Sequence, residues 1–537
     1  MDAVFQSKPP EGYACKLPFN HTTCLSLGLQ LVQCIRDENV AYSVDLCAIR
    51  SSIEKTIAFV KRFQIAPFVP LRDVRFWIVV FAIIRLVNIT LPPIEVGHNW
   101  RQSTVLMVAR NFFEGPFDLM HPKVDMAGDL SGITGMEFPL LNALHASWAH
   151  LFGWSDWYGR LIVLIFSSLA MWSLFSLLRR AIDRRWARDT VLILITSLWF
   201  IYSRKIMPDA FSCSLVIIGT HLLVLSWETE NRTQKVLGSL LACCAIILGL
   251  LSKLPAGILL LGMLPFLPTL LPNPRHLWTF AWFIPGAALV MYWYYFWVPH
   301  LVTDYGFWHF FMGKSIGIGA QELATHWQIA AMHIIDHALK FTGFGCFLAG
   351  LVLLFRTGQR RVLMALLCAF FGLAIVAIKA GDTFVRHDYY ILPFVPFMAI
   401  AAAFTIQKIP LRRWRLAALA LVMLEGLANQ AHDFFPSSDQ RAILSLESAL
   451  DEVSHPEDLI VINCGPSPTP LYFAHRKGWV LSGVEIESSR QELIRKGATH
   501  IVWLQQSWKS GPLPEGRVQS SADPPWSIES LIPSAQE

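Results

Sequence analysis

The stretch LPPIEVGHNWRQSTVLMVARNF (residues 91–112) follows one of the longest apolar runs in the chain. Pro92 and Pro93 end a helix, because proline lacks a backbone donor and restricts the residue before it. Glu95, His98, Arg101 and Gln102 then fall within eight residues, more chemistry than a plain connecting loop needs. The pattern predicts a juxtamembrane helix from about Asn99 to Glu114. Its apolar members Val105, Leu106, Val108, Ala109, Phe112 and Phe113 suit an interfacial helix lying on lipid. His98, Arg101 and Gln102 stand at i, i+3 and i+4 and share a face. Glu95 precedes that face by a turn's spacing, with Gly97 and the prolines placing it on the incoming turn. An acid, an imidazole and a guanidinium thus converge where a lipid head group would sit. The alternative is that they only snorkel and anchor the helix.

Composition sets the class around that stretch. The 537 residues are 54% hydrophobic and 15% charged, with mean hydropathy +0.45. Soluble domains carry about 25% charged residues, so the chain reads as a polytopic membrane protein. A net charge of +5, without basic clusters interleaved with aromatics, argues against a nucleic-acid partner. Cys15, Cys24, Cys34 and Cys47 match no zinc spacing, and most other cysteines sit in apolar runs, so no disulfide framework is expected. Residues 1–72 lack the short apolar core and cleavage site of a signal peptide and read as a cytoplasmic N-terminal extension. The sequons at Asn20, Asn88 and Asn231 fall on cytoplasmic segments or inside a span and are discounted.

A bilayer core needs about 20 apolar residues per helix. The runs that approach this are 74–92, 159–179, 188–203, 210–227, 235–252, 254–271, 277–298, 331–355, 362–380, 388–407 and 414–430. A further run, 138–153, is short and opens at a proline. If it crossed, RRAIDRRWAR (179–188) would lie outside, against the positive-inside rule; as a re-entrant segment it places that cluster, RTGQRR (356–361) and RRWR (412–415) inside. The expectation is about eleven spans, a cytoplasmic N-terminus and an external C-terminus. Residues 73–430 form the membrane domain. Residues 431–537 form a small soluble α/β domain, with strands at DLIVINC and THIVWL, helices over 440–453 and 488–497, and no chemistry of its own.

This topology gathers the unusual polar residues on the external side. Glu137 in GMEFP and Asp125 in HPKVD are candidate second acids, or solvated loop carboxylates. Arg160 opens a span on the side where arginine is disfavoured. Lys205 and Asp209 in SRKIMPDA make a mutual ion pair or a substrate contact. Lys253 and Lys314 are phosphate candidates that snorkelling explains as well. In VRHDYYILP, Arg386 and His387 are favoured for function, and Tyr389 and Tyr390 read as an aromatic belt. Arg85 lies inside the first span, where it is functional by default or pairs with an acid from another span. A desolvated carboxylate serves as a general base, and arginine grips phosphate through two bonds.

These residues resemble the GT-C superfamily of polyprenyl-phosphate-sugar-dependent glycosyltransferases, in particular the bacterial protein O-mannosyltransferase and lipid A aminoarabinose transferase group. The resemblance covers roughly 74–430 and rests on the proline turn and acid after the first span, WRQSTVLMVARNFFEG, VD in HPKVD, EFPLLNALHASWAHLFGWSDWYGRLIVL, MPDA and RHDYYILPFVP. It implies inverting sugar transfer from a lipid-phosphate donor to a hydroxyl of a glycan, lipid or protein on the external face. The acid after the first span, base or organiser of the base, maps onto Glu95. Basic residues about the lipid phosphate map onto Arg101, Arg160, Lys314 and Arg386. Many relatives carry an Asp-Glu pair where this chain has EVGHNWRQ, and Lys-Pro-Pro where it has EFP. His98, Glu137 or Asp125 therefore stand beside Glu95 as catalytic candidates, with Gln102, Lys205, Asp209 and His387 as further substrate contacts. No metal ligand set is visible, although acid-rich loops could hold Mg²⁺ or Mn²⁺. A bacterial inner membrane, with the C-terminal domain periplasmic, fits best. The rival readings are a lipid-linked saccharide transporter or flippase, and an envelope-assembly scaffold.

Overall fold

Prolines, caps and buried polar plugs decide where the helices of this chain stop. The computed structural model describes residues 72–95, 97–271, 273–307, 313–436, 438–504 and 526–531. All of them fall within one compact unit, Val69–Glu537. The N-terminal extension, apart from Arg72, lies outside the described residues, as do its four cysteines and part of YGFWHFFMGKS.

The first apolar run folds into a shorter helix than its length predicts. Helix α1 (Val74–Arg85) starts at Asp73, whose side chain accepts from the Arg75 amide at 2.9 Å. It gives way to turns around Asn88, a non-glycine residue at φ 53°. Helix α2 (Asn99–Glu114) has the predicted bounds, but it does not lie on lipid. Every residue from Arg101 to Arg110 is buried. It is covered by helix α3 (Leu140–Phe152), whose Asn142 donates to the Val105 carbonyl at 2.7 Å, and by the C-terminal region. Helix α3 occupies the predicted re-entrant run. Its 13 residues extend about 20 Å, too short for a bilayer core of about 30 Å.

Among the described residues, four helices are long and apolar enough to cross a membrane: α4 (Tyr158–Ala181), α6 (Pro208–Glu228), α7 (Arg232–Ser252) and α9 (Arg360–Ala380), with α5 (Arg184–Ile195) between the first two. A fifth span arises if Trp327–His337 and α8 (Lys340–Arg356), bent by 91°, count together. Helices occupy the other expected positions but are broken or short, so the structure supports fewer long spans than the eleven read from hydropathy. The run 254–271 is interrupted at Pro255, Pro265 and Pro268. The run 277–298 mixes 3₁₀, α and π turns. The run 188–203 breaks at Thr196–Ser197, and Gln430 fills the gap. Its Nε2 donates to the Ser197 and Gly426 carbonyls at 3.0 and 2.7 Å, while its Oε1 accepts from the Ile201 amide at 3.0 Å. That one side chain satisfies backbone groups that cannot stay unpaired away from water. Helices α10 (Val395–Gln407) and α11 (Arg412–Ala428) complete the bundle. Gly426 permits their neighbour's close approach, since a Cβ there would stand 2.2 Å from the Thr196 carbonyl oxygen.

The C-terminal region holds a four-stranded sheet in the order β2-β1-β3-β4, from β1 (Leu459–Ile462), β2 (Lys477–Val480), β3 (Ala498–Leu504) and β4 (Trp526–Ser530). β1 pairs in parallel with β2 and β3, and β4 closes the edge antiparallel to β3. Helix α12 (Thr469–Ala474) links β1 to β2, and α13 (Gly483–Arg495) links β2 to β3. The two strands read from the sequence are β1 and β3; β2 and β4 are less apolar and were not anticipated. This region docks firmly on the helices. Tyr472 donates to Asp156 at 2.5 Å, Arg110 donates to the Tyr472 carbonyl at 3.0 Å, and the Gly478 amide donates to the Asp125 carbonyl at 3.0 Å.

Candidate active site

A cavity of about 820 Å³ opens between the start of α2, the loop before α3, the segment after α7 and the end of α9. Trp100 and Arg101 reach it from the first turn of α2, and Glu137 from the loop before Pro139. Lys253 comes from the end of α7, Lys379 from the end of α9, and His387, Tyr389 and Tyr390 from the loop before α10. The remaining wall is apolar, with Leu254, Ile258, Leu261, Ile375 and Val376. Among the described lining residues Glu137 is the sole carboxylate, and Arg101, Lys253 and Lys379 supply the positive charge.

Arg101 donates to Glu137, with side-chain exposures of 1% and 7%. Lys253 lies 3.6 Å from an Asp209 oxygen and 5.4 and 5.5 Å from the ring centres of Tyr389 and Tyr390. Those tyrosines are therefore parts of the cavity wall and not a membrane belt. His387 stacks on Tyr389 with rings 5.2 Å apart and 9° from parallel. Burial, together with the charges of His98 and Lys253, pushes its imidazole down to about 3, so it lines the cavity as a neutral group.

Glu95 lies off this wall, in a closed cluster. Its two oxygens accept from Arg160 at 3.0 and 2.8 Å, and Gln102 donates to one of them at 2.8 Å. Lys205 stands 3.9 Å away and pairs more tightly with Asp433, at 2.8 Å. Burial pushes the Glu95 carboxyl up, but Arg160 and Lys205 outweigh it and hold the group below its ordinary value. Lys205 and Asp209 do not pair with each other: one faces Asp433, the other Lys253.

The other candidates disperse. Asp125 accepts from Arg110 at 3.0 Å and Asn111 at 2.8 Å, beneath the docked C-terminal sheet and away from the cavity. His98 approaches Asp388 at 3.2 Å. Lys314 donates to Glu322 at 2.6 and 2.5 Å, beside Gly313 at the cavity edge. Arg386, 71% exposed, pairs with Asp382. Arg85 finds no acid among the described residues: it donates to the Phe81 carbonyl at 2.9 Å and to Ser203. Of the twelve site residues read from the sequence, the cavity gathers Arg101, Glu137 and His387. Lys253 was rated no higher than a snorkelling residue, and Lys379 and Trp100 went unread. Each ends or begins a helix, where only tertiary packing reveals its direction.

No set of three or more His, Cys, Asp or Glu placed to hold a metal ion occurs among the described residues. Glu137, the one carboxylate among the described lining residues, already pairs with Arg101, so the described lining does not fit the divalent ion suggested by the acid-rich loops.

Residues 137–302 match the sequence family described as dolichyl-phosphate-mannose-protein mannosyltransferase. The match covers less than half of the chain. Among solved structures, the chain shares its fold with ArnT from Cupriavidus metallidurans bound to undecaprenyl phosphate. The two are 13% identical with TM-score 0.50, over 80% of this chain and 93% of that one. A more distant likeness joins it to the oligosaccharyltransferase AglB from Archaeoglobus fulgidus, solved with an inhibitory peptide and a dolichol-phosphate, at 13% identity and TM-score 0.49 over 80% and 69% of the two chains. No curated protein sequence matches the chain.

Proposed function

We propose that this chain is an integral-membrane glycosyltransferase that moves a sugar from a polyprenyl-phosphate donor to an acceptor hydroxyl on the external face, with inversion. The observation that carries the reading is one cavity whose polar part holds Arg101, Lys253, Lys379 and Glu137 and whose other wall is aliphatic. A lipid phosphate needs both. Cations neutralise the charge that grows on the leaving phosphate, and the apolar wall takes its isoprenoid chain. The relatives named above, one bound to undecaprenyl phosphate and one to a dolichol-phosphate, add to that reading. The loop charges support an external face for the cavity through the positive-inside rule.

Glu137 accepts the proton of the acceptor hydroxyl as its oxygen attacks the anomeric carbon. The bond from that carbon to the phosphate oxygen breaks, through an oxocarbenium-like state. Arg101 orients the Glu137 carboxylate and, with Lys253, faces the departing phosphate. Glu95 acts as an organiser, because Arg160 and Gln102 already occupy its oxygens. The broken helices at Thr196–Ser197 and at the 91° bend favour a second reading, a lipid-linked saccharide transporter. The first of those breaks is filled by Gln430, leaving its backbone groups satisfied within the protein.

The test uses purified protein in nanodiscs with a panel of radiolabelled polyprenyl-phosphate sugars. Wild type is expected to release or transfer the label, Glu95→Gln to retain turnover, and Glu137→Gln to bind donor without turnover. Tight binding by wild type with no turnover of any donor would favour the transporter.

A further inference from the structure

The stretch GPSPTP (465–470) leads from β1 into α12 and has no part in the chemistry proposed above. Gly465 turns the chain at φ 57°, and its amide donates to the Leu481 carbonyl at 2.8 Å, just beyond β2. Pro466, Pro468 and Pro470 then fix three φ angles around one residue, Thr469. A loop that only linked a strand to a helix would not need such stiffness. Here it presents a single hydroxyl to α2.

Thr469 is fully buried, and that hydroxyl both donates and accepts. It donates to Asn99 Oδ1 at 3.1 Å and accepts from Ser103 at 3.2 Å. Asn99 and Ser103 stand four residues apart, so Thr469 clips together one turn of helix, the first of α2. The other bond of Asn99 decides which end of its amide faces Thr469. Nδ2 donates to the Glu95 carbonyl at 2.9 Å, which leaves Oδ1 to accept. Through Asn99 the clip therefore reaches the incoming turn as well.

That first turn depends on outside support. The first amides of a helix have no partners within it, and α2 begins at His98, with φ 61° and no side-chain cap. Arg101 lies midway between Asn99 and Ser103. At about 100° per residue it points to the opposite side of the helix, toward the cavity it lines. Thr469 thus holds the back of the turn whose front carries Arg101, and Arg101 holds Glu137. Farther along, α12 meets the helices at other points: Tyr472 donates to Asp156 at 2.5 Å, and its carbonyl accepts from Arg110 at 3.0 Å.

We infer that Thr469 is a positioning residue through which the C-terminal region reaches the reaction site: it fixes the first turn of α2, and so the place of Arg101 opposite Glu137. Thr469 itself stays off the cavity wall. The inference rests on the glycosyl-transfer reading for its kinetic consequence alone.

Two measurements on the full chain in nanodiscs test it. One is label transfer from a radiolabelled polyprenyl-phosphate sugar that wild type turns over, resolved into kcat and KM. The other is hydrogen–deuterium exchange of amides in peptides spanning 95–105 and 106–114. Thr469→Val keeps the shape and removes the hydroxyl. It is expected to lower kcat about tenfold to a hundredfold, the scale of misplacing a reacting group by about 1 Å. KM should move no more than a few-fold, since Lys253 and the aliphatic wall still meet the lipid. Exchange should rise about tenfold in 95–105 and not in 106–114. Thr469→Ser, which keeps the hydroxyl, should restore both readouts. Tyr472→Phe cuts the same interface at Asp156, so it should lower the thermal midpoint yet leave kcat and first-turn exchange within a few-fold of wild type. Ser103→Ala opens the clip from the helix side and serves if Thr469→Val does not fold, with the same changes expected at several-fold size. Wild-type kcat and exchange in the folded clip variant, or an equal loss of kcat in Tyr472→Phe, overturns the inference. No turnover of any donor by wild type overturns the glycosyl-transfer reading instead, and the exchange measurement then decides the role of Thr469 alone.

Discussion

Two carboxylates are tied to the same turn of α2 and lead opposite lives. Glu95 is held by Arg160, Gln102 and Lys205 behind the cavity wall, while Glu137 is held by Arg101 on the wall itself. Both are buried, at 5% and 6% exposure, so burial does not separate them. What separates them is the partner. The Glu95 cluster closes on itself and on the backbone, through Gln102 to the Ile206 amide at 3.0 Å and Lys205 to the Gly97 carbonyl. The Arg101–Glu137 pair ends at open space. An acid satisfied on every side is architecture, and an acid beside a void is available for chemistry.

The hardest way to break that distinction is to neutralise both acids in turn. Glu137→Gln should cost about 10²–10⁴-fold in turnover, the range for losing a positioned general base. It should lower the thermal midpoint less than Glu95→Gln does, since glutamine still accepts from Arg101 and the pair lines the open cavity, where solvent offsets part of the lost counter-charge. Rates are read from label transfer, and stability from thermal unfolding in detergent. Loss of stability with activity retained would exchange the two roles.

Glu95→Gln should do the reverse. It leaves Arg160 and the nearby Lys205 without their shared counter-charge in a dry interior, at a cost of about 3–5 kcal/mol. Surviving folded protein should keep its turnover within a few-fold. Unchanged stability together with lost activity would return Glu95 to the catalytic role.

How much of this was legible in the sequence follows the same division. The bounds of α2 were readable because Pro92, Pro93 and Gly115 bracket an uninterrupted helical run. The run that forms α3 reads as re-entrant from its shortness, its opening proline and the loop charges, and its 13 residues fall short of a bilayer core. The environment of α2 was not readable. Its apolar face suits lipid and protein equally, and only the packed helices α3 and α12, with Asn142 donating to the Val105 carbonyl at 2.7 Å and Thr469 accepting from Ser103 at 3.2 Å, show that it is covered. The eleven runs read from hydropathy and the four long apolar helices among the described residues differ for a related reason. Hydropathy averages over residues and does not see the break at Thr196–Ser197, which depends on Gln430 more than 200 positions away. Of the acids, sequence proximity favoured Glu95, yet which acid meets the void depends on the packing of α3 and α9. Tyr389 and Tyr390 fit an aromatic belt by pattern, and Lys253 beside them shows the contrary.

The comparison extends to the docking surface, where the effects are smaller. Asp156 accepts from Tyr472 at 2.5 Å and Trp154 at 3.2 Å, with no ion pair among the described residues. Burial raises its carboxyl above the ordinary value, only partly offset by those two donors. A raised acid binds more protons in the folded state. Its stabilisation is thus fully present below the unfolded value of about 3.9 and lost as pH rises through the folded one. At neutral pH Asp156→Asn should therefore be neutral or stabilising by up to about 1 kcal/mol. The gap to wild type should close on acidification. A clear loss of thermal midpoint at neutral pH would show that Tyr472 requires a charged partner.

The smallest effect belongs to His475, which bridges Glu114 at the end of α2 and Glu447 of the C-terminal region, at 2.9 and 2.6 Å. Glu114 is the main cause that raises its imidazole, burial opposes it, and Glu447 adds to the rise. A raised histidine stabilises fully below its unfolded value of about 6.5, and that contribution fades as pH climbs through the folded value. Its side chain is 36% exposed and both carboxylates are more so, so solvent screens the bridge. His475→Gln should then cost only about 0.5 kcal/mol at mildly acidic pH and nothing measurable in alkali. It should weaken further in high salt. Paired unfolding curves at the two pH values measure the difference directly. A loss that persists in alkali would mean that His475 holds its left-handed turn, at φ 48°, by packing rather than by charge.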